Sequence, residues 1–228
     1  MFNLILSILL LQQISFAQEV KPLELEECRI YEPIIYVGAS QLSAGIGKAL
    51  QEQMGYGVVM AKTGSTPGYW AEDGWSLLKR NISSRTKTIV IVTGGNGSYG
   101  ADKLLYKIYT TLVEQNTLGK VTVIWIGANP PGANSFKNGL PFNSSSYFKY
   151  LNTVDGFMEA TARRAHYNND IKLSIQKYNW IFIDPYDFMM IGKNLPGFIC
   201  QNCDGIHMPY YIAKKLIIDI FNSGLFDE

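Results

Sequence analysis

The sequence predicts an α/β fold, a three-layer αβα sandwich around a central, mostly parallel five-stranded sheet. Three observations predict it. Five short apolar runs occur at Pro33–Val37, Val58–Ala61, Thr88–Val92, Val121–Ile126 and Trp180–Ile183. Most of the stretches between them carry apolar residues at helical spacing, and this alternation is the mark of a parallel sheet covered on both faces. No internal repeat and no linker interrupts the pattern, so one domain is expected.

The elements follow in order. Gly38-Ala39-Ser40 breaks the first strand, and Leu42 to Met54 reads as a helix burying Ala44, Ile46, Ala49, Leu50 and Met54. Gly55 and Gly57 end that helix before the second strand. Gly64-Ser65-Thr66-Pro67-Gly68 reads as a loop. The third strand runs into Thr93-Gly94-Gly95-Asn96-Gly97, and Ala101 to Gln115 is helical. The fourth strand meets Asn129-Pro130-Pro131-Gly132, which opens the longest irregular segment, reaching Ser146. Phe148 to His166 is expected as a long helix, and Tyr210 to Phe221 as the closing one.

Composition narrows the function. The chain has 228 residues, 47% hydrophobic and 17% charged, which suits one ordinary globular core. Net charge is +1 with no basic cluster, which argues against nucleic acid as a partner. Met1 to Ala17 has no charged side chain, an almost wholly apolar run from Leu4 to Leu11, and small residues Ser15 and Ala17 before Gln18. It reads as a secretory signal peptide, too short for a comfortable membrane span. The expectation is an exported protein, periplasmic or secreted and bacterial, with a mature domain of residues 18–228 and no stable membrane insertion after cleavage.

Three cysteines, Cys28, Cys200 and Cys203, leave three pairings open. Cys200 and Cys203 can form a local disulfide, or Cys28 can pair with either. A zinc site would need a fourth ligand, with only His166 to spare, so no metal is expected.

The chemistry gathers at Asp204-Gly205-Ile206-His207. An acid three residues before a histidine can fold back to accept from Nδ1–H, which leaves Nε2 free as a base. Ser40, Gly64 and Asn96 follow the first, second and third strands respectively. They therefore share the rim where ligands gather in parallel sheets. Each has a plainer reading alone: Ser40 as a helix cap, Gly64 as a turn residue, Asn96 as a left-handed turn position. Their order and common rim favour a site.

Together Gly38-Ala39-Ser40, Gly64, Gly94-Gly95-Asn96 and Asp204 to His207 resemble the four blocks of the SGNH (GDSL-like) hydrolases. Ala39 and Gly97 stand where the family usually has aspartate. The resemblance spans nearly all of the mature chain and implies an SGNH/flavodoxin-like sandwich. It implies a serine ester hydrolase with Ser40 as nucleophile, His207 as base and Asp204 as its orienting acid. Oxyanion donors would be the backbone N–H groups of Ser40 and Gly64 and the side-chain amide of Asn96. Exported members commonly remove small acyl groups, acetyl above all, from polysaccharides or cell-wall glycans. Longer acyl chains, acyl transfer, and glycan binding without catalysis are the alternatives. Tyr69 and Trp70, close after Gly64, are candidate substrate-facing aromatics, with core packing as the competing reading.

Gly95-Asn96-Gly97-Ser98-Tyr99-Gly100 also fits the dinucleotide-binding pattern. The following strand ends in Ile126-Gly127-Ala128, with no acid to hold a ribose hydroxyl, so no cofactor is expected.

Overall fold

A computed structural model describes residues 33–137, 139–142, 148–191, 195–201 and 203–225. The proposed signal peptide and Cys28 lie outside the described residues. The first strand, β1 (Ile34–Gly38), leads through a π-helical turn (Leu42–Ile46) into α1 (Gly47–Met54). There follow β2 (Val58–Ala61), α2 (Pro67–Ala71), α3 (Trp75–Asn81), β3 (Thr88–Val92), α4 (Ala101–Glu114) and β4 (Thr122–Ile126). Short strands β5 (Gly132–Ala133), β6 (Ser135–Lys137) and β7 (Leu140–Phe142) precede α5 (Val154–Gln176) and β8 (Ile181–Ile183). Two-residue strands β9 (Met190–Ile191), β10 (Leu195–Pro196) and β11 (Phe198–Ile199) lead to α6 (Tyr210–Asn222).

The central sheet has the order β2-β1-β3-β4-β8, parallel throughout. Alternation within the strands sends side chains to two cores. Ile34, Tyr36, Val90, Val92, Ile124 and Ile126 pack with α1 and α6. Ile35, Val37, Ile89, Ile91, Val123 and Trp125 pack with helices α2 to α5. The expected three-layer sandwich is therefore the one observed. The strand order reverses at β1, so the crevice between the carboxyl ends of β1 and β3 is the switch point of the sheet.

Register sets the rim. Gly38 pairs with Ala61 on one side and with Val92 on the other, and Val92 pairs in turn with Ile126, opposite Ile183. These five residues form one row across the sheet, and the loops leaving it carry Ser40, Gly64 and Asn96.

Two expectations change. The segment after Gly64 is helical sooner than its glycines suggest, because Thr66 caps α2 by accepting from Tyr69 N–H and Pro67 takes the first helical turn. Helix α5 runs ten residues past His166, to Gln176. Asn168, Asn169 and Asp170 resemble a stop signal, since such side chains compete for backbone bonds. Asn168 is instead fully buried, donating to Ala128 O (2.9 Å) and accepting from Ala128 N–H (2.7 Å). A tertiary partner thus overrides its weak helix propensity.

The glycine-rich segment before α4 has a packing explanation. Gly100 adopts φ +81° as the cap of α4, and a Cβ there would lie 2.3 Å from Gly68 Cα. That glycine serves the close approach of the α4 cap to helix α2, which accounts for its place in the pattern.

Candidate active site

Asp204 and His207 form a local pair. His207 Nδ1 lies 2.5 Å from Asp204 Oδ2, and Asp204 Oδ1 accepts from the backbone N–H groups of Ile206 (2.8 Å) and His207 (2.7 Å). Burial pushes the Asp204 carboxyl up. The bonds from His207 N–H, the His207 ring and Ile206 N–H outweigh that and hold it below the usual carboxylate range. An ionised Asp204 fixes the ring with Nε2 outward.

The three strand-end residues are tied to one another. Ala39 N–H donates to Val92 O at 3.0 Å, which locks the chain before Ser40 to the end of β3. Asn96 Nδ2 donates to Ser65 O at 3.2 Å, joining the third motif to the residue after Gly64. One N–H of that amide remains for a developing oxyanion. Gly64 holds φ +73°, a left-handed conformation that suits glycine.

Sequence reading missed Gln41. Its Nε2 donates to Ile206 O, and its Oε1 accepts from Met208 N–H at 3.1 Å. One side chain, adjacent to Ser40, thereby grips both neighbours of His207 and couples the segment of Ser40 to that of His207. Ser40 and His207 are not themselves hydrogen-bonded here, and bonds of this kind are commonly loose before substrate binds. Gly45, one turn on, permits the approach: a Cβ there would meet Met208 O at 2.7 Å and Tyr210 N at 3.0 Å. No local sequence signal marks Gln41, since its partners lie 165 and 167 residues away.

The segment carrying His207 is anchored from β5. Parallel pairing joins Phe198 to Gly132 and Ile199 to Ala133, Gly132 N–H donates to Gly205 O, and Cys200 N–H donates to Ala133 O. Cys200 and Cys203 are joined as a disulfide with Cα atoms 5.9 Å apart, the local one of the pairings left open by the sequence. Asn129 adds a longer bond, 3.5 Å, from Nδ2 to Ile206 O, and Arg164 Nη1 donates to Asn129 O at 3.0 Å.

A cavity of about 30 Å³ opens beside these groups, bordered by Ser40, Gln41, Thr93, Asn96, Ala128, Arg164 and Ile206 among others. Ser40, Asn96 and Ile206, the neighbour of His207, therefore border one cavity, while His207 and Gly64 are not among its lining residues. Neither Tyr69 nor Trp70 reaches it. The expectation of a substrate-facing Trp70 is corrected: the ring is 2% exposed, and Nε1 donates to Gly38 O (3.2 Å) and Ser65 Oγ (3.1 Å). Trp70 braces the loop of Gly64 and Ser65 from within the core, and Tyr69 packs edge-on against it with ring centroids 5.2 Å apart. Among the described residues no cluster of three or more His, Cys, Asp or Glu could hold a metal ion, and no helix is long and apolar enough to cross a membrane.

No family model matches the chain, and no curated protein matches it. Solved structures do. A carbohydrate acetylesterase from Sinorhizobium meliloti aligns over 85% of this chain and 99% of its own, with a TM-score of 0.54 at 12% identity. The aryl esterase of M. smegmatis aligns over 83% and 96%, again at TM-score 0.54 and 12% identity. The periplasmic domain of a lipopolysaccharide acetyltransferase from Salmonella ser. Paratyphi A aligns over 84% and 83%, at TM-score 0.52 and 12% identity. At such identities the likeness is one of fold, a three-layer α/β sandwich around a parallel five-stranded sheet.

Proposed function

We propose that this chain is an exported serine esterase that removes small acyl groups, acetyl foremost, from a polysaccharide or cell-wall glycan. The observation that carries the reading is the grip of Gln41 on both sides of His207, which couples the Asp204–His207 pair to the segment of Ser40. Export is supported by the apolar Met1–Ala17 and by a disulfide, a bond at home in oxidising compartments.

The steps follow from the residue types. His207 Nε2 takes the proton of Ser40 as Oγ attacks the ester carbonyl, and Asp204 stabilises the imidazolium that results. Negative charge builds on the carbonyl oxygen, and backbone N–H groups of Ser40 and Gly64 with the free N–H of Asn96 receive it. Collapse expels the sugar hydroxyl, which regains its proton from His207. Water then attacks the acyl-serine with His207 again as base, releasing the acid and restoring Ser40.

Cavity size favours a short acyl group. About 30 Å³ is roughly a tenth or less of the ~300–1,000 Å³ typical of drug-sized ligand sites, so a long chain would find no groove in it. The likeness to a carbohydrate acetylesterase and to an acetyltransferase domain supports an acetyl group on a carbohydrate as the first substrate to try.

The test compares 4-nitrophenyl acetate with 4-nitrophenyl octanoate, and acetate release from acetylated glycans, for the mature protein and its S40A variant. Acetate hydrolysis that vanishes in S40A is expected. Octanoate preference would replace this reading with a long-chain esterase. Wild type as inert as S40A, with Ser40 unreactive to a fluorophosphonate, would replace it with glycan binding.

A further inference from the structure

We infer that the cavity beside Ser40 binds a carboxylate carried by the ester substrate, held by Arg164 and the Thr93 hydroxyl. The inference rests on the esterase reading above and deepens it, because it names a substrate class: acidic esters.

Arg164 projects from α5 and is 6% exposed, yet it borders the same cavity as Ser40 and Asn96. A guanidinium offers five N–H donors. Among the described residues it makes one hydrogen bond, from Nη1 to Asn129 O at 3.0 Å. No carboxylate among the described residues lies in ion-pair range of it. Asp204 is near enough to be felt electrostatically, but its two oxygens are already engaged by His207 and Ile206. Arginine is seldom buried without a counter-charge, since desolvating it is costly and it stays protonated throughout the physiological range.

A second, independent feature points the same way. Thr93 is 4% exposed, borders the same cavity, and its Oγ1 has no hydrogen-bond partner among the described residues. Buried hydroxyls are nearly always bonded. Two groups short of partners thus meet at one small cavity, and one carboxylate would satisfy both, accepting from the guanidinium and from the hydroxyl. A plain acetyl methyl would leave both unpaired. The size of the cavity limits the group to something of a few atoms, such as a carboxylate.

The carboxylate can sit on either half of the ester, and two substrate pairs separate the cases. One pair is mono-(4-nitrophenyl) succinate against 4-nitrophenyl butyrate, which places the charge on the acyl group. The other is an acetylated methyl glucuronide against the matching methyl glucoside, which places it on the alcohol. In one pair the acidic member is expected to have kcat/KM higher by about tenfold or more, the scale of a charged hydrogen bond. That ratio is expected to collapse in R164M and to fall several-fold in T93V. T93V removes a hydroxyl with no partner among the described residues, so it keeps the test decisive should R164M fail to fold. Hydrolysis of neutral esters without acidic preference in either pair would overturn the inference, as would a preference unchanged in T93V and R164M. Hydrolysis of none of the four, nor of 4-nitrophenyl acetate, would instead overturn the esterase reading beneath it.

Discussion

Ser40, Gly64 and Asn96 stand two, three and four residues beyond Gly38, Ala61 and Val92, which are neighbours in one row of a parallel sheet. His207 has no such support. It follows two-residue strands, a disulfide and a turn, and no strand of the central sheet leads directly into it. The first region is positioned by backbone register, which the whole hydrophobic core enforces. The second is positioned by a few side-chain bonds to backbone, chiefly those of Gln41, together with the pairing of β11 on β5. Half of the site thus shares the stability of the fold, and half depends on identifiable pins.

The contrast can be tested from its largest expected effect downward. Removing a reacting group should abolish turnover without touching the fold, so S40A is expected to lower kcat by about 10⁴–10⁶-fold at an unchanged melting temperature. A clear loss of stability would place Ser40 among the structural caps instead. N96A should cost about 10²–10³ in kcat, the usual scale for one oxyanion donor, and it also removes the bond to Ser65 O. A loss confined to KM would remove Asn96 from the oxyanion site.

Gln41 sharpens the comparison most. Q41L frees both neighbours of His207 and is expected to lower kcat by roughly 10–100-fold through misplacement of the base, with KM little changed. Q41E retains an acceptor for Met208 N–H and loses the donor to Ile206 O, so it should fall between Q41L and wild type. Equal behaviour of Q41E and Q41L would show that the Met208 bond contributes nothing. Replacing Cys200 and Cys203 together by serine opens a very short loop, worth about 2 kcal/mol or less of stability, and should leave the central sheet intact. Calorimetry would check it.

The smallest effect is one of pH. Asp204 has its folded-state carboxyl held below the ordinary range, so the bonds of its ionised form stabilise the native state above the unfolded value of about 3.9. That contribution is lost as pH falls through the folded value. D204N should therefore flatten the acid limb of a stability–pH curve below about pH 4. An unchanged limb would mean that Asp204 is not held below its ordinary range.

Much of this was legible in the chain. Apolar runs marked the five strands, two of them to the residue, because burial on both faces leaves an uninterrupted hydrophobic signature. The sandwich followed from alternation, and the rim followed from motifs placed just beyond strand ends. The Asp204–His207 contact was legible too, since partners three residues apart meet through local geometry. Other features were decided only by tertiary structure. Trp70 looked like a surface aromatic and is core, Asn168 looked like a helix stop and holds Ala128, and Gln41, Thr93 and Arg164 carried no signal at all. Bonds to distant groups decide them, Trp70 to Gly38, Asn168 to Ala128 and Gln41 to Ile206 and Met208, 32 to 167 residues away, or they border a cavity shaped by several separate segments. Periodicity and propensity report what neighbours in sequence prefer. Which distant groups meet is fixed by strand register and by the packing of helices against the sheet, and those are properties of the assembled fold.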